Sequence, residues 1–245
     1  MRMSMFAPIA AVAILAAAGG AVAGSKRIDL KSALADSSRP EADRARDADR
    51  KPAELIAFSG LRAGDKVAEL APGGGYFTRL LSAAVGPKGR VYAITATPRP
   101  AVTEFAAAHP NVSILANQPG QVPVPEPVDM VWTTLNYHDF KNVRVGDGDG
   151  AAATNAAAFR ALKPGGIYFI VDHQTARGAG ASQTSTLHRV EDALVRREVE
   201  AAGFRFDAES PLLRHPSDDN SLRVQETGIR GKTDQFVLRF RKPKR

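Results

Sequence analysis

Val67-Ala68-Glu69-Leu70-Ala71-Pro72-Gly73-Gly74-Gly75-Tyr76-Phe77-Thr78 joins an apolar strand ending in an acidic residue, a sharp glycine turn and a helix that starts at once. Glycines at such a turn accept unusual backbone angles and let a ligand approach the main chain. The new helix aims unpaired N–H groups into the same space. The turn is not a dinucleotide fingerprint, because Thr78 stands where a pattern begun at Gly73 needs its last glycine, and no Gly-Lys-Ser/Thr follows for a phosphate loop.

Outward from this turn, short apolar runs alternate with helical stretches, the signal for repeated βα units and a largely parallel sheet. Lys66–Leu70, Arg90–Thr95, Val112–Leu115, Val128–Thr134 and Ile167–Val171 read as strands, and Arg205–Glu209 starts another. Helices are expected over Tyr76–Ala84, Pro100–Ala108, Ala151–Leu162 and Val190–Ala202, the last ended by Gly203. Gln118–Pro127 holds four prolines and must be loop, and Pro164-Gly165-Gly166 is a turn into the fifth strand. Gln235–Arg241 alternates as a last, antiparallel edge strand. The fold class is thus α/β with a Rossmann-like, mostly parallel sheet and an antiparallel last strand.

The ends follow other rules. Arg2, the apolar run Met5–Ala18 and Ala21-Val22-Ala23 have the order of an export leader, so residues 1–23 are expected to be a signal peptide cut after Ala23. This places the mature protein in the periplasm or outside the cell, with no membrane span once the leader is gone. Residues 24–38 read as a linker and 39–245 as one domain with a basic C-terminal tail. The charges from Glu41 to Lys51 suggest a solvated helical approach, and Pro52 begins a helix closed by Gly60. The absence of cysteine excludes thiolate nucleophiles, zinc–thiolate sites and redox pairs. Net charge is +7, or +6 without Arg2, with the excess crowded at Arg239, Arg241, Lys242, Lys244 and Arg245. No zinc-finger spacing or RNA-binding aromatic signature accompanies it, so no specific nucleic-acid partner is expected. The Gly146–Gly150 run lacks calcium-loop ligand spacing and reads as a surface loop.

Three later landmarks occur in order: Asp129-Met-Val-Trp leading to Asn136-Tyr-His-Asp139, then Leu162-Lys-Pro-Gly-Gly166, then a strand ending in Asp172-His173. With the glycine turn, they resemble class I S-adenosylmethionine-dependent methyltransferases over about residues 40 to 241. The likeness is nearest to a little-characterised bacterial group of exported members in which Pro-Gly-Gly-Gly-Tyr, Asn-Tyr-His-Asp and a His-Arg pair recur. It implies S-adenosylmethionine as cofactor. Glu69 would anchor the cofactor's amino-acid end, Gly73, Gly74 and Gly75 would pass beneath the methionine, and Tyr76 and Thr78 would stand at the helix mouth. Asn117 and Gln118 would meet the adenine, and Asn136 would lie beside the sulfonium. Two positions depart from the pattern. Ala71 replaces a glycine, which is harmless if its backbone angles are ordinary. Thr95 replaces the acidic residue that grips the ribose hydroxyls, offering one weaker hydrogen bond in place of a charge-assisted pair.

Methyl transfer needs alignment and removal of the acceptor's proton. His138 or His173 is the expected base, with Asp139 or Asp172 orienting it and Arg189 binding an anionic acceptor or positioning a carboxylate. His188 and Glu191 lie near the start of the next helix. Asp139 and Asp172 loosely resemble the magnesium ligands of catechol methyltransferases, but His173 departs from that set and no metal is assigned. The expected function is methyl transfer to an unidentified small molecule. The alternative is an exported, noncatalytic metabolite-binding module on a degenerate methyltransferase scaffold, which Thr95 favours. Oligomeric state is not legible.

Overall fold

The computed structural model describes residues 30–244; the expected leader, residues 1–23, lies outside them. Four helices come first: α1 (Lys31–Ala35), α2 (Glu41–Arg44), α3 (Asp47–Arg50) and α4 (Pro52–Ser59). Pro52 opens α4, and Gly60 closes it with a left-handed backbone (φ 81°) that costs glycine nothing. There follow β1 (Lys66–Leu70), α5 (Tyr76–Val85), β2 (Arg90–Ile94), α6 (Pro100–Ala108), β3 (Val112–Leu115), β4 (Val128–Thr134) and α7 (Tyr137–Lys141). The small hairpin β5 (Arg144–Val145) and β6 (Gly148–Asp149) leads to α8 (Gly150–Ala161), β7 (Leu162–His173), α9 (Asp192–Ala201), β8 (Arg205–Ser210) and β9 (Gln235–Arg241).

The main sheet has the order β3-β2-β1-β4-β7-β9-β8. Its first five strands are parallel, and β9 runs antiparallel to both its neighbours. This is the Rossmann-like sheet of class I methyltransferases. The last strand is antiparallel but is not the edge: β9 inserts between β7 and β8, and β8 is the outer strand. Alternation on β9 reflects two covered faces, with Val237 packing on one side and Phe236, Leu238 and Phe240 on the other. The same two-sidedness runs through the sheet. Val67, Met130, Trp132, Phe169 and Val171 meet α1, α4 and α5, while Ala68, Val131, Tyr168 and Ile170 meet α7, α8 and α9. Each fully buried Val, Leu, Ile or Phe contributes roughly 1.5–3 kcal/mol, so the two cores hold the strand ends in fixed register.

Four regions differ from the sequence reading. The described part of the expected linker contains α1, and Leu30 is buried against the core with Ala33 and Leu34 beside it. The approach segment is not simply solvated: Arg39 is buried and bound to Asp47 at 2.8 Å by both guanidinium ends. Gly146–Gly150 is not a free loop but the turn and second strand of a hairpin, and Gly150 opens α8 under an Asp149 cap that accepts from Ala152 N at 2.9 Å. Pro164-Gly165-Gly166 is not a separate turn but part of β7, which begins at Leu162. The basic end is a strand through Arg241, as expected: Arg239 and Arg241 share Asp207, and Lys242 donates to the carbonyls of Phe159 and Leu162. Among the described residues no helix is long and apolar enough to cross a membrane.

Candidate active site

The carboxyl ends of β1, β2, β4 and β7 converge on one crevice, where open parallel sheets bind ligands. At β1, Glu69 is buried and accepts from Thr78 Oγ1 at 2.6 Å. Burial pushes its carboxyl up to about 7, against the Thr78 hydrogen bond and the Arg79 charge. Thr78 therefore looks inward to Glu69, not outward at the helix mouth. Tyr76 is likewise buried and donates its hydroxyl to Asp47 at 2.7 Å. Of the motif, the glycines face open space: a Cβ placed on Gly73 or Gly74 would meet nothing within 4 Å. At Gly75 it would press on Arg79 and Val102. Arg79 also donates to the carbonyl of Gly74 at 2.9 Å, so its guanidinium supports the turn from behind.

Beside the turn lies a cavity of about 200 Å³, lined by Leu70, Ala71, Ile94, Thr95, Asn117 and Phe140 among others. Its walls are mostly apolar, suited to a flat heterocycle, and none of its lining residues is a carboxylate. Asn117 lines it, whereas Gln118 does not; Gln121 stands in the wall instead and accepts from the Gln118 backbone N–H at 3.3 Å. Thr95 is on the wall, its hydroxyl only 3.4 Å from the carbonyl of Thr97. The glycine turn is open and the slot beside it is mostly apolar, with the Thr95 hydroxyl in place of a carboxylate on its wall.

β4 ends in a strained turn. Leu135 has φ 60° and donates its N–H to Val171 at 2.7 Å, after which Asn136 ties Ala71 and Thr134 together through its amide. Tyr137 then points into the core, where its hydroxyl bonds Glu198 and Asn155, both at 2.8 Å. That anchor turns the next residue toward β7. His138 Nδ1 lies 2.7 Å from Asp172 Oδ1, and the same carboxylate accepts from the backbone N–H of His138 and of His173. Burial by itself disfavours the imidazolium, but the charge and hydrogen bond of Asp172, with Asp139 behind them, hold His138 above the usual histidine value. Its other nitrogen, Nε2, faces Asp139 at 3.4 Å and His188 Nδ1 at 3.3 Å.

The other expected groups are placed differently. His173 is buried with Nδ1 against the Thr233 hydroxyl at 2.8 Å, and burial pushes it down to about 3. That keeps its ring neutral, with Nδ1 tied to Thr233. Arg189 is fully buried and spent: it holds Asp218 through both nitrogens, Asn220, and the carbonyls of Gln174 and Leu222. It ties the 212–226 segment to the domain and has no donor aimed at a ligand. One group had no sequence signal. Arg50 stacks 4.4 Å over the Tyr76 ring with its Nε buried and unpaired, and burial lowers it to about 10.

No protein-family model matches the chain, and no curated protein does. Solved structures do. A S-adenosylmethionine-dependent methyltransferase of Aquifex aeolicus is 18% identical with a TM-score of 0.60, over 88% of this chain and 100% of that one. The cyclase SpnF is 16% identical with a TM-score of 0.57, over 80% and 81%. Fibrillarin of Aeropyrum pernix with natively bound S-adenosyl-L-methionine is 16% identical with a TM-score of 0.51, over 80% and 76%. The chain has the fold of the class I S-adenosylmethionine-dependent methyltransferases. The cyclase among its structural neighbours shows that the fold by itself does not fix the reaction.

Proposed function

We propose that this chain is a small-molecule methyltransferase in which His138 takes the acceptor's proton. The carrying observation is the buried Asp172–His138 pair at 2.7 Å, which fixes a proton on Nδ1 and leaves Nε2, beside Asp139 and His188, as the accepting nitrogen. When bound, S-adenosylmethionine supplies an electrophilic methyl group. The Gly73–Gly75 turn cradles the methionine end, the cavity beside Asn117 takes the adenine, and Thr95 meets the ribose. With the cofactor bound, the acceptor's hydroxyl or amine would give its proton to His138 Nε2 as its lone pair takes the methyl group and the sulfonium–methyl bond breaks, its electron pair staying on sulfur as the neutral thioether leaves; Asp172 would stabilise the imidazolium. Among the candidate residues, Arg189, Tyr76 and Thr78 serve structure, because their side chains are bonded within the protein, and His173 has Nδ1 tied to Thr233.

The test is transfer of labelled methyl groups to a panel of phenols, amines and carboxylic acids by the full chain. His138→Gln should lower kcat by 10²-fold or more, the usual weight of a general base, with cofactor affinity unchanged. In the active protein, rate should fall with acid through a pKa above the usual 6.5 of histidine, because only the unprotonated ring accepts. An unaltered kcat in the variant would remove His138 from this role.

The missing acidic partner at Thr95 favours a second reading, an exported metabolite-binding module without transfer. It predicts binding of S-adenosylmethionine or its demethylated product with no turnover. The exported address is part of the proposal and rests on residues 1–23; mass spectrometry of protein recovered from the periplasm should show Gly24 as the first residue.

A further inference from the structure

Three donor atoms of unlike origin meet at the mouth of this crevice. His138 Nε2 comes from the first turn of α7, Asp139 Oδ1 from the next residue, and His188 Nδ1 from the segment between β7 and α9. Their separations are nearly equal: 3.3 Å between the two nitrogens, 3.4 Å from His138 to Asp139 and 3.5 Å from His188 to Asp139. Three corners of a tetrahedron around an ion about 2.1 Å away stand about 3.4 Å apart, the geometry zinc adopts with imidazole and carboxylate ligands. Cis donors of octahedral magnesium stand about 2.9 Å apart and are oxygens, so neither spacing nor donor type suits that ion.

We propose that His138, Asp139 and His188 form a binding site for a zinc-type divalent cation. The surroundings are those of a metal site. Asp172, fully buried, accepts from His138 Nδ1 and so leaves the Nε2 lone pair for the ion, as a carboxylate behind a liganding histidine does. His188 is held at φ 56°, a costly angle for a side-chain-bearing residue, with Nδ1 turned to the cluster. Asp139 is about half exposed, which leaves an open side for a fourth ligand. Arg223 opposes the site, since Nη2 lies 3.1 Å from His188 Nε2; it is exposed and turns to solvent when that nitrogen carries the proton. Binding needs only these ligands. Its use in catalysis rests on the methyltransfer reading: an acceptor oxygen in the fourth position would lose its proton to solvent at neutral pH, in place of giving it to His138.

Cobalt(II) titration of the full chain, followed by visible absorption, reads the site without any methyl transfer, and zinc competition gives the affinity. One equivalent should bind with the intense spectrum of four-coordinate cobalt. Asp139→Asn and His188→Gln, both on the open side, should each weaken binding at least 10-fold with unchanged thermal stability. Arg223→Gln should tighten it several-fold. Controls His109→Ala and His215→Ala should change nothing. No binding, a six-coordinate spectrum, or affinity indifferent to Asp139 and His188 would overturn the proposal. Calorimetry with S-adenosylmethionine on metal-free protein keeps that outcome separate from failure of the methyltransfer reading.

Discussion

Ala71 has the left-handed backbone of a glycine, φ 53°, while carrying a side chain. Leu135, just past β4, and His188, between β7 and α9, do the same, so three of the five such non-glycine residues among those described lie around the crevice. Ala71→Gly should relieve it and stabilise the protein by about 1 kcal/mol, a rise of roughly 2–4 °C in Tm for a chain of this size. An unchanged or lower melting temperature would mean that Ala71 carries no strain. Glu69 makes a second prediction. Its carboxyl is raised from 4.5 to about 7, mainly by burial, so the folded protein holds that proton more tightly than the unfolded chain. Stability should then fall as pH rises from 4.5 through 7 and level off above. Glu69→Gln removes this loss: it should gain up to about 3 kcal/mol at pH 8 and little at pH 4 in ligand-free melts.

Among elements, α2 and α3 are bound over the glycine turn by charges. Arg79 reaches from α5 to Asp43 and to the carbonyl of Gly74, and Asp47 takes both Arg39 and the Tyr76 hydroxyl. Asp43→Ala should cost about 2 kcal/mol, the price of leaving the largely buried Arg79 without its carboxylate. Limited proteolysis should then cut faster between Asp36 and Lys51, and an unchanged rate would show the clasp to be idle. This element also shows what sequence can and cannot carry. Strand and helix positions follow from local apolar period, so Lys66–Leu70, Pro100–Ala108, Val112–Leu115, Val128–Thr134 and Gln235–Arg241 are legible to the residue. The clasp is not, because a run of alternating charges looks the same solvated or paired. Nor is the seat of β9: its alternation marks a strand, and only pairing across 68 residues puts Ile170 opposite Leu238. In the site, Asp172 and His138 are recognisable as residues at strand ends, but that Asp172 pairs with His138 Nδ1 while His173 Nδ1 meets Thr233 depends on contacts 34 and 60 residues apart in the chain.

For the whole molecule, the fold supplies a glycine cradle, an apolar slot and an Asp–His pair along one edge of a single sheet, with Thr95 as the weak point between cradle and slot. The proposed place of S-adenosylmethionine is across that edge, which calorimetry of the full chain with S-adenosylmethionine, set beside Gly74→Ala, puts to the test. Gly74 lacks the left-handed φ of Gly73 and Gly75 and has room for a Cβ in the free protein, so the variant should melt like the parent. The parent should bind saturably and Gly74→Ala at least 10-fold more weakly, because the added methyl occupies ligand space. No binding by the parent at millimolar ligand, or equal binding by the two proteins, would rule this placement out.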